Sequence, residues 1–160
     1  MSTSFPTKNS LAEATRSEVV DLLNQTLADL SDLYSQTKQA HWNVRGPSFY
    51  SLHKLFDDLA SLVEEGIDPL AERITALGGI AAGTVRMAAA NSSLPEFPGP
   101  PLSDLAFADA LSERFAKAGN SVRAQIDATA ARGDAGTSDL LTGISRELDK
   151  ALWMLEAHRG

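Results

Sequence analysis

The sequence predicts an all-α fold: a bundle of four long amphipathic helices with a short extra helix in the long connection between the second and third. Three observations predict it. Apolar residues recur at spacings of three and four through four separate segments, the period of a helix face rather than the two-residue alternation of a strand. Turn residues separate those segments at Gly46-Pro47, Gly78-Gly79 and "RGDAG" over 132–136. The stretch "LPEFPGPP" is too rich in proline for a helix, so the second and third helices are joined by a crossover. At 160 residues, 43% apolar and 22% charged, the chain has enough material for one core and no compositional reason to be disordered. Residues 9–160 are expected to form a single domain, behind a flexible N-terminal tail over residues 1–8.

Each element has its own pattern. The first helix carries Val19, Leu22, Leu23, Leu27, Leu30, Leu33 and Tyr34 on one face. Asn9 or Ser10 can cap it, with Glu13 completing a capping box from Ser10. The second helix opens near Ser48, runs through Phe49, Leu52, Phe56, Leu59, Val63, Leu70 and Ile74, and stops at Gly78-Gly79. Gly66 and Pro69 weaken it, and a kink is expected at Pro69. The first part of residues 81–101 suits the short helix. Ser103 and Asp104 open the third long helix, and the fourth carries Leu140, Leu141, Ile144, Leu148, Leu152 and Leu155.

Composition excludes several chemistries. Without cysteine the chain has no disulfide, thiolate zinc site, iron–sulfur cluster or cysteine nucleophile, so a transition metal has only histidine and carboxylate to hold it. The net charge of −7 argues against a broad basic face for a phosphate backbone and suits cation traffic. "MSTSFPTKNS" does not read as a signal peptide, and no stretch approaches the roughly 20 apolar residues of a membrane span. A cytoplasmic protein that does not enter membranes is the natural reading.

His53, Asp57, Asp68 and Glu72 share one stripe of the second helix, within about 100° of azimuth. Imidazole and carboxylate on one stripe are the donors that non-haem iron takes. Yet Asp57 and Asp68 lie roughly 16 Å apart along the helix axis, so they cannot hold one ion within one chain. Two copies of the helix packed antiparallel about a two-fold axis would set His53 and Asp57 of one subunit against Asp68 and Glu72 of the other. His41, at the end of the first helix, is placed to join its own His53. The Glu-x-x-His pairs of an intrasubunit di-iron bundle are absent: the residues three before His41, His53 and His158 are Lys38, Tyr50 and Leu155.

The block "TKQAHWNVRGPSFYSLHKLFDDL" followed by "DPLAERITALGG" resembles the signature of the Dps family, DNA-binding proteins from starved cells, which are mini-ferritins. The likeness extends over nearly the whole chain, to "SRELDKALWMLEA". It implies a ferritin-like four-helix bundle assembled as a hollow homododecamer with ferroxidase sites at its two-fold interfaces. His41, His53 and Asp57 come from one subunit and Asp68 and Glu72 from its neighbour. The implied activity is that of an oxidoreductase acting on metal ions: Fe(II) is oxidised to Fe(III), with hydrogen peroxide preferred to O2, and stored as ferric oxide, protecting DNA from oxidative damage. Zn(II) or another divalent ion is an alternative occupant of the same ligands. The resemblance also makes Trp42 and Trp153 candidate redox-active aromatics near the site, and Asp134 and Asp139 candidate linings of an iron-entry pore, where Gly143 stands in place of a further acid.

Ordinary readings stand beside these. His41 alone suits a hydrogen-bonded helix end, while His53 and Asp57 suit a solvated helix face. Asp68 and Glu72, with Arg73, suit surface ion pairing. Trp153 suits a packed core aromatic, and Asp134 and Asp139 suit a helix cap and a first-turn acid. His158 has no partner pattern and is expected to be exposed, as is Asp58. The rival reading of the whole is a nucleoid-compacting, DNA-binding shell with a vestigial metal site. Against it, the first eighteen residues set only Lys8 and Arg16 against Glu13 and Glu18, too few cations for tight binding, so DNA binding is expected to be weak or absent.

Overall fold

The computed structural model describes residues 5–99 and 102–159. The helices are α1 (Glu13–Asn43), α2 (Phe49–Ala76), α3 (Val85–Asn91), α4 (Asp104–Ala131) and α5 (Ala135–Glu156), followed by a 3-10 turn over Ala157–Arg159. Among the described residues there is no strand. The α1–α2 and α4–α5 pairs make the most extensive contacts, and each pair is joined by a short turn, so its helices run antiparallel. The 77–103 crossover carries α3 past α1 and delivers the chain to α4. This is the expected bundle, short extra helix included.

The predicted faces form the core. Leu23, Leu27, Leu30 and Leu33 of α1 meet Leu52, Phe56, Leu59 and Val63 of α2, Leu111 and Phe115 of α4, and Leu141 and Leu148 of α5, all at 2% exposure or less. Each such side chain contributes about 1.5–3 kcal/mol of hydrophobic burial. The same burial carries α2 without interruption through Gly66 and Pro69, because Leu70 and Ile74 beyond them are fully enclosed. A missing backbone donor is tolerated where packing on both sides holds the rod together.

The α1 start differs from expectation. Ala12 occupies the N-cap position with no side-chain cap, so the Ser10–Glu13 box does not form. Asn9 Oδ1 instead accepts the Leu11 N–H at 3.0 Å in an Asx-type turn, and Arg16 donates to the Leu11 carbonyl. Of the expected tail, residues 1–4 lie outside the described residues, and the Phe5 N–H donates to the Gly78 carbonyl at 2.7 Å. Gly78 has φ +86°, and a Cβ there would come 2.6 Å from the Phe5 carbonyl oxygen, so the turn ending α2 admits only glycine without strain.

Buried polar groups anchor the crossover. Arg114, 5% exposed, donates to Gln36 Oε1 at 3.0 Å and to the Glu96 carbonyl at 2.6 Å. Asp29, 2% exposed, accepts the Ser93 N–H at 2.6 Å. Paired in this way, neither charge pays the penalty of lone burial.

Candidate metal centre

His41 lies in the last turn of α1 and His53 near the start of α2, so the short corner between the helices brings them together. Their rings stack with centroids 3.9 Å apart and planes inclined by 19°. Each Nδ1 reaches the backbone carbonyl of the other residue, His41 to His53 at 2.7 Å and His53 to His41 at 2.9 Å. A carbonyl only accepts, so both Nδ1 atoms carry the hydrogen, and in the neutral rings both lone pairs sit on Nε2. This backbone bonding fixes tautomer and ring plane as metal-binding histidines require. Phe49 stacks on His53 at 5.1 Å.

One turn beyond His53, Asp57 places Oδ1 3.9 Å from His41 Nε2. The same oxygen accepts from Lys38 Nζ at 2.7 Å. The Lys38 hydrogen bond is the main reason the Asp57 carboxyl titrates below the usual carboxylate range, against a smaller opposing effect of burial and with His41 adding to the depression. Asp57 is therefore ionised at neutral pH, the form in which a carboxylate can take a cation. Lys38 was not singled out by the sequence reading. Its position three residues before His41, on the same face of α1, was the available signal.

Asp68 and Glu72 are exposed and one turn apart on the later half of α2. They do not join the histidines: Asp57 and Asp68 are separated by roughly 16 Å of helix rise. Among the described residues no three histidine or acidic side chains gather closely enough to enclose a metal. Asp68 instead lines a groove of about 690 Å³ that also touches Tyr34, Lys38, Trp42, Ile67 and Ala71. One chain thus keeps two groups of residues apart, His41, His53 and Asp57 around the α1–α2 corner and Asp68 with Glu72 farther along α2.

The other candidates divide between surface and scaffold. Trp42 is 66% exposed, with Lys38 Nζ 5.9 Å from its ring centroid. Trp153 is 64% exposed on α5, so the packed-core reading of that residue does not hold in this chain. His158 is half-buried rather than exposed, its Nδ1 2.8 Å from the Met154 carbonyl oxygen. Asp58 and Asp139 are exposed. Asp134, 2% exposed, is the N-cap of α5: Oδ1 accepts the Thr137 N–H at 3.0 Å and Arg73 Nη2 at 2.7 Å. Burial alone would raise its pKa, but hydrogen bonds from Thr137 and the Arg73 charge outweigh it and bring the carboxyl below its ordinary value. Its oxygens are committed to the cap.

No helix among the described residues is long and apolar enough to cross a membrane. Residues 20–160 match the ferritin-like domain family. The DNA protection during starvation protein of Agrobacterium fabrum is 40% identical, over 95% of this chain and 94% of that one. DNA protection during starvation protein 2 of Bacillus anthracis is 33% identical, over 88% and 95%. Among solved structures, DpsC from Streptomyces coelicolor superposes with a TM-score of 0.94 at 31% identity, covering 99% of this chain and 92% of that one. Mycobacterium smegmatis Dps does so with a TM-score of 0.89 at 30% identity, covering 99% and 93%. A likeness that runs from end to end in both sequence and backbone leaves one conclusion, that this chain belongs to the Dps family of ferritin-like proteins.

Proposed function

We propose that the protein is a ferroxidase and iron-storage shell: it oxidises Fe(II), preferably with hydrogen peroxide, at sites shared between two subunits, and stores the ferric oxide inside a homododecamer. The observation that carries this reading is the reciprocal His41–His53 pair. Its two bound Nδ1 hydrogens leave both Nε2 lone pairs free beside an ionised Asp57. Asp68 and Glu72 of a second subunit complete the ligand set across a two-fold axis, because helix rise keeps the chain's own pair away.

Iron is the substrate. Neutral imidazole and carboxylate bind Fe(II) loosely and favour the harder Fe(III), so oxidation is downhill at these ligands. Two Fe(II) ions held together give peroxide both electrons at once: with two protons, one H2O2 becomes two waters and two Fe(III) form. A single Fe(II) would release a hydroxyl radical instead. Suppression of that radical is how the shell would protect DNA, the role named in its relatives. Trp42, exposed beside Lys38, would intercept stray oxidising equivalents.

The test is anaerobic Fe(II) titration of the assembled protein, then peroxide, with ferric absorbance and hydroxyl-radical yield followed in wild type and Glu72→Ala. Rapid, saturable oxidation with little radical, lost in the variant, is expected. Oxidation no faster than in protein-free buffer overturns the reading and leaves a zinc-holding or DNA-compacting shell to be tested.

A further inference from the structure

The five-residue corner 44–48 is what joins the helix bearing His41 to the helix bearing His53. It is gripped from a distant part of the chain. Asp104, the first residue of α4 and 8% exposed, accepts the Ser48 N–H on Oδ2 at 2.7 Å, while Oδ1 accepts the Leu105 N–H at 3.0 Å. Gly46 adopts φ +136°, and a Cβ there would stand 2.8 Å from Asp104 Cγ, so the carboxylate lies directly against the corner backbone.

The charge has a second use. Ser48 is the N-cap of α2 but makes no side-chain cap bond, and α2 has no acidic residue in its first turn. The Asp104 carboxylate therefore supplies from outside the negative charge that a helix N-terminus favours, and supplies it to α4 as well. The reciprocal histidine hydrogen bonds, at 2.7 and 2.9 Å, survive only if α1 and α2 keep their axial register. A shift of even 1 Å breaks bonds of this length.

We propose that Asp104 is a positioning residue for the histidine pair, holding the α1–α2 corner so that His41 and His53 keep their ring orientations. Its effect on metal affinity rests on the function proposed above, whereas its effect on the corner does not. Removal of supporting hydrogen bonds around metal ligands weakens binding about tenfold or more.

The experiment compares wild type, Asp104→Ala and Asp104→Asn, the last keeping an acceptor oxygen for Ser48. Each is read by Co(II) titration, by the Co(II) absorption band and by hydrogen–deuterium exchange over residues 38–53. Asp104→Ala is expected to exchange faster in that segment alone, to bind Co(II) about tenfold more weakly and to shift the band, with Asp104→Asn, which keeps one acceptor oxygen but not the charge, recovering part of all three. Asp104→Ser, whose oxygen ends one bond short of Ser48, replaces the alanine variant should that not fold. Wild-type exchange and affinity in the alanine or serine variant overturn the proposal, as does an asparagine variant no better than alanine. If wild type itself binds no Co(II), the metal reading fails separately, and exchange over 38–53 still decides the grip: faster supports it, unchanged overturns it.

Discussion

Lys38 Nζ sits 2.7 Å from Asp57 Oδ1, the carboxylate oxygen that His41 Nε2 approaches to 3.9 Å. The ammonium occupies one side of an oxygen that a metal would share with the histidine. On the proposed function an arriving cation would compete with it for that oxygen, and Lys38 would tune how tightly the first ion is held.

Lys38→Met keeps an unbranched side chain of similar length and removes the competing charge. Because the pair is partly exposed, the gain is modest: Co(II) should bind about two- to fivefold more tightly by calorimetry. Weaker binding in Lys38→Met would show instead that the ammonium organises Asp57 for the metal.

Shared sites make a prediction about mixtures. His53→Ala and Glu72→Ala shells should each lose iron oxidation. In a dimer of one chain of each kind, one site carries both defects and the other carries none. Shells assembled from an equal mixture should therefore recover about a quarter of wild-type activity under random pairing. A site built within one subunit would recover nothing. Ferric absorbance after co-expression and purification reads the difference.

Acid should loosen the α2–α5 junction. The Asp134 carboxyl titrates below its unfolded value of about 3.9, so its contribution is fully present above that pH and is lost as pH falls through the folded value. Asp134→Asn retains a helix cap but not the ion pair with Arg73. The variant should be less stable than wild type at pH 6, and the difference should shrink below about pH 4. Urea midpoints measured from pH 2.5 to pH 6 check this. Parallel curves would mean that the Arg73 pair contributes nothing.

DNA should not be retained by charge. Within the described N-terminal region, Arg16 is already bonded to the Leu11 carbonyl, and Glu18 pairs with Arg132 at 2.7 Å. A gel shift at about 150 mM salt, where screening acts beyond roughly 8 Å, should show none. A tight shift would move the function toward DNA compaction.

Helical periodicity made the bundle readable residue by residue, because burial of one face is a local property of spacing. Val19, Leu23, Leu27, Phe56 and Phe115 sit where their spacing put them. The cap of α1 was not readable in that way: Asn9, Ser10 and Glu13 satisfy a capping pattern, yet Asn9 uses its oxygen one turn earlier. Local hydrogen-bond alternatives of similar energy are separated only by how the chain enters the bundle.

The candidate site divides along the same line. The sequence by itself determined the donor types, their common stripe on α2 and the roughly 16 Å that separates Asp57 from Asp68, since helix geometry needs no tertiary information. Tertiary structure alone decided that His41 and His53 exchange hydrogen bonds and free both Nε2 atoms, that Lys38 takes Asp57, and that Arg73 of α2 reaches the Asp134 cap of α5. These contacts join residues on different helices, and their distances depend on how two rods are set against each other, which spacing along either rod does not encode.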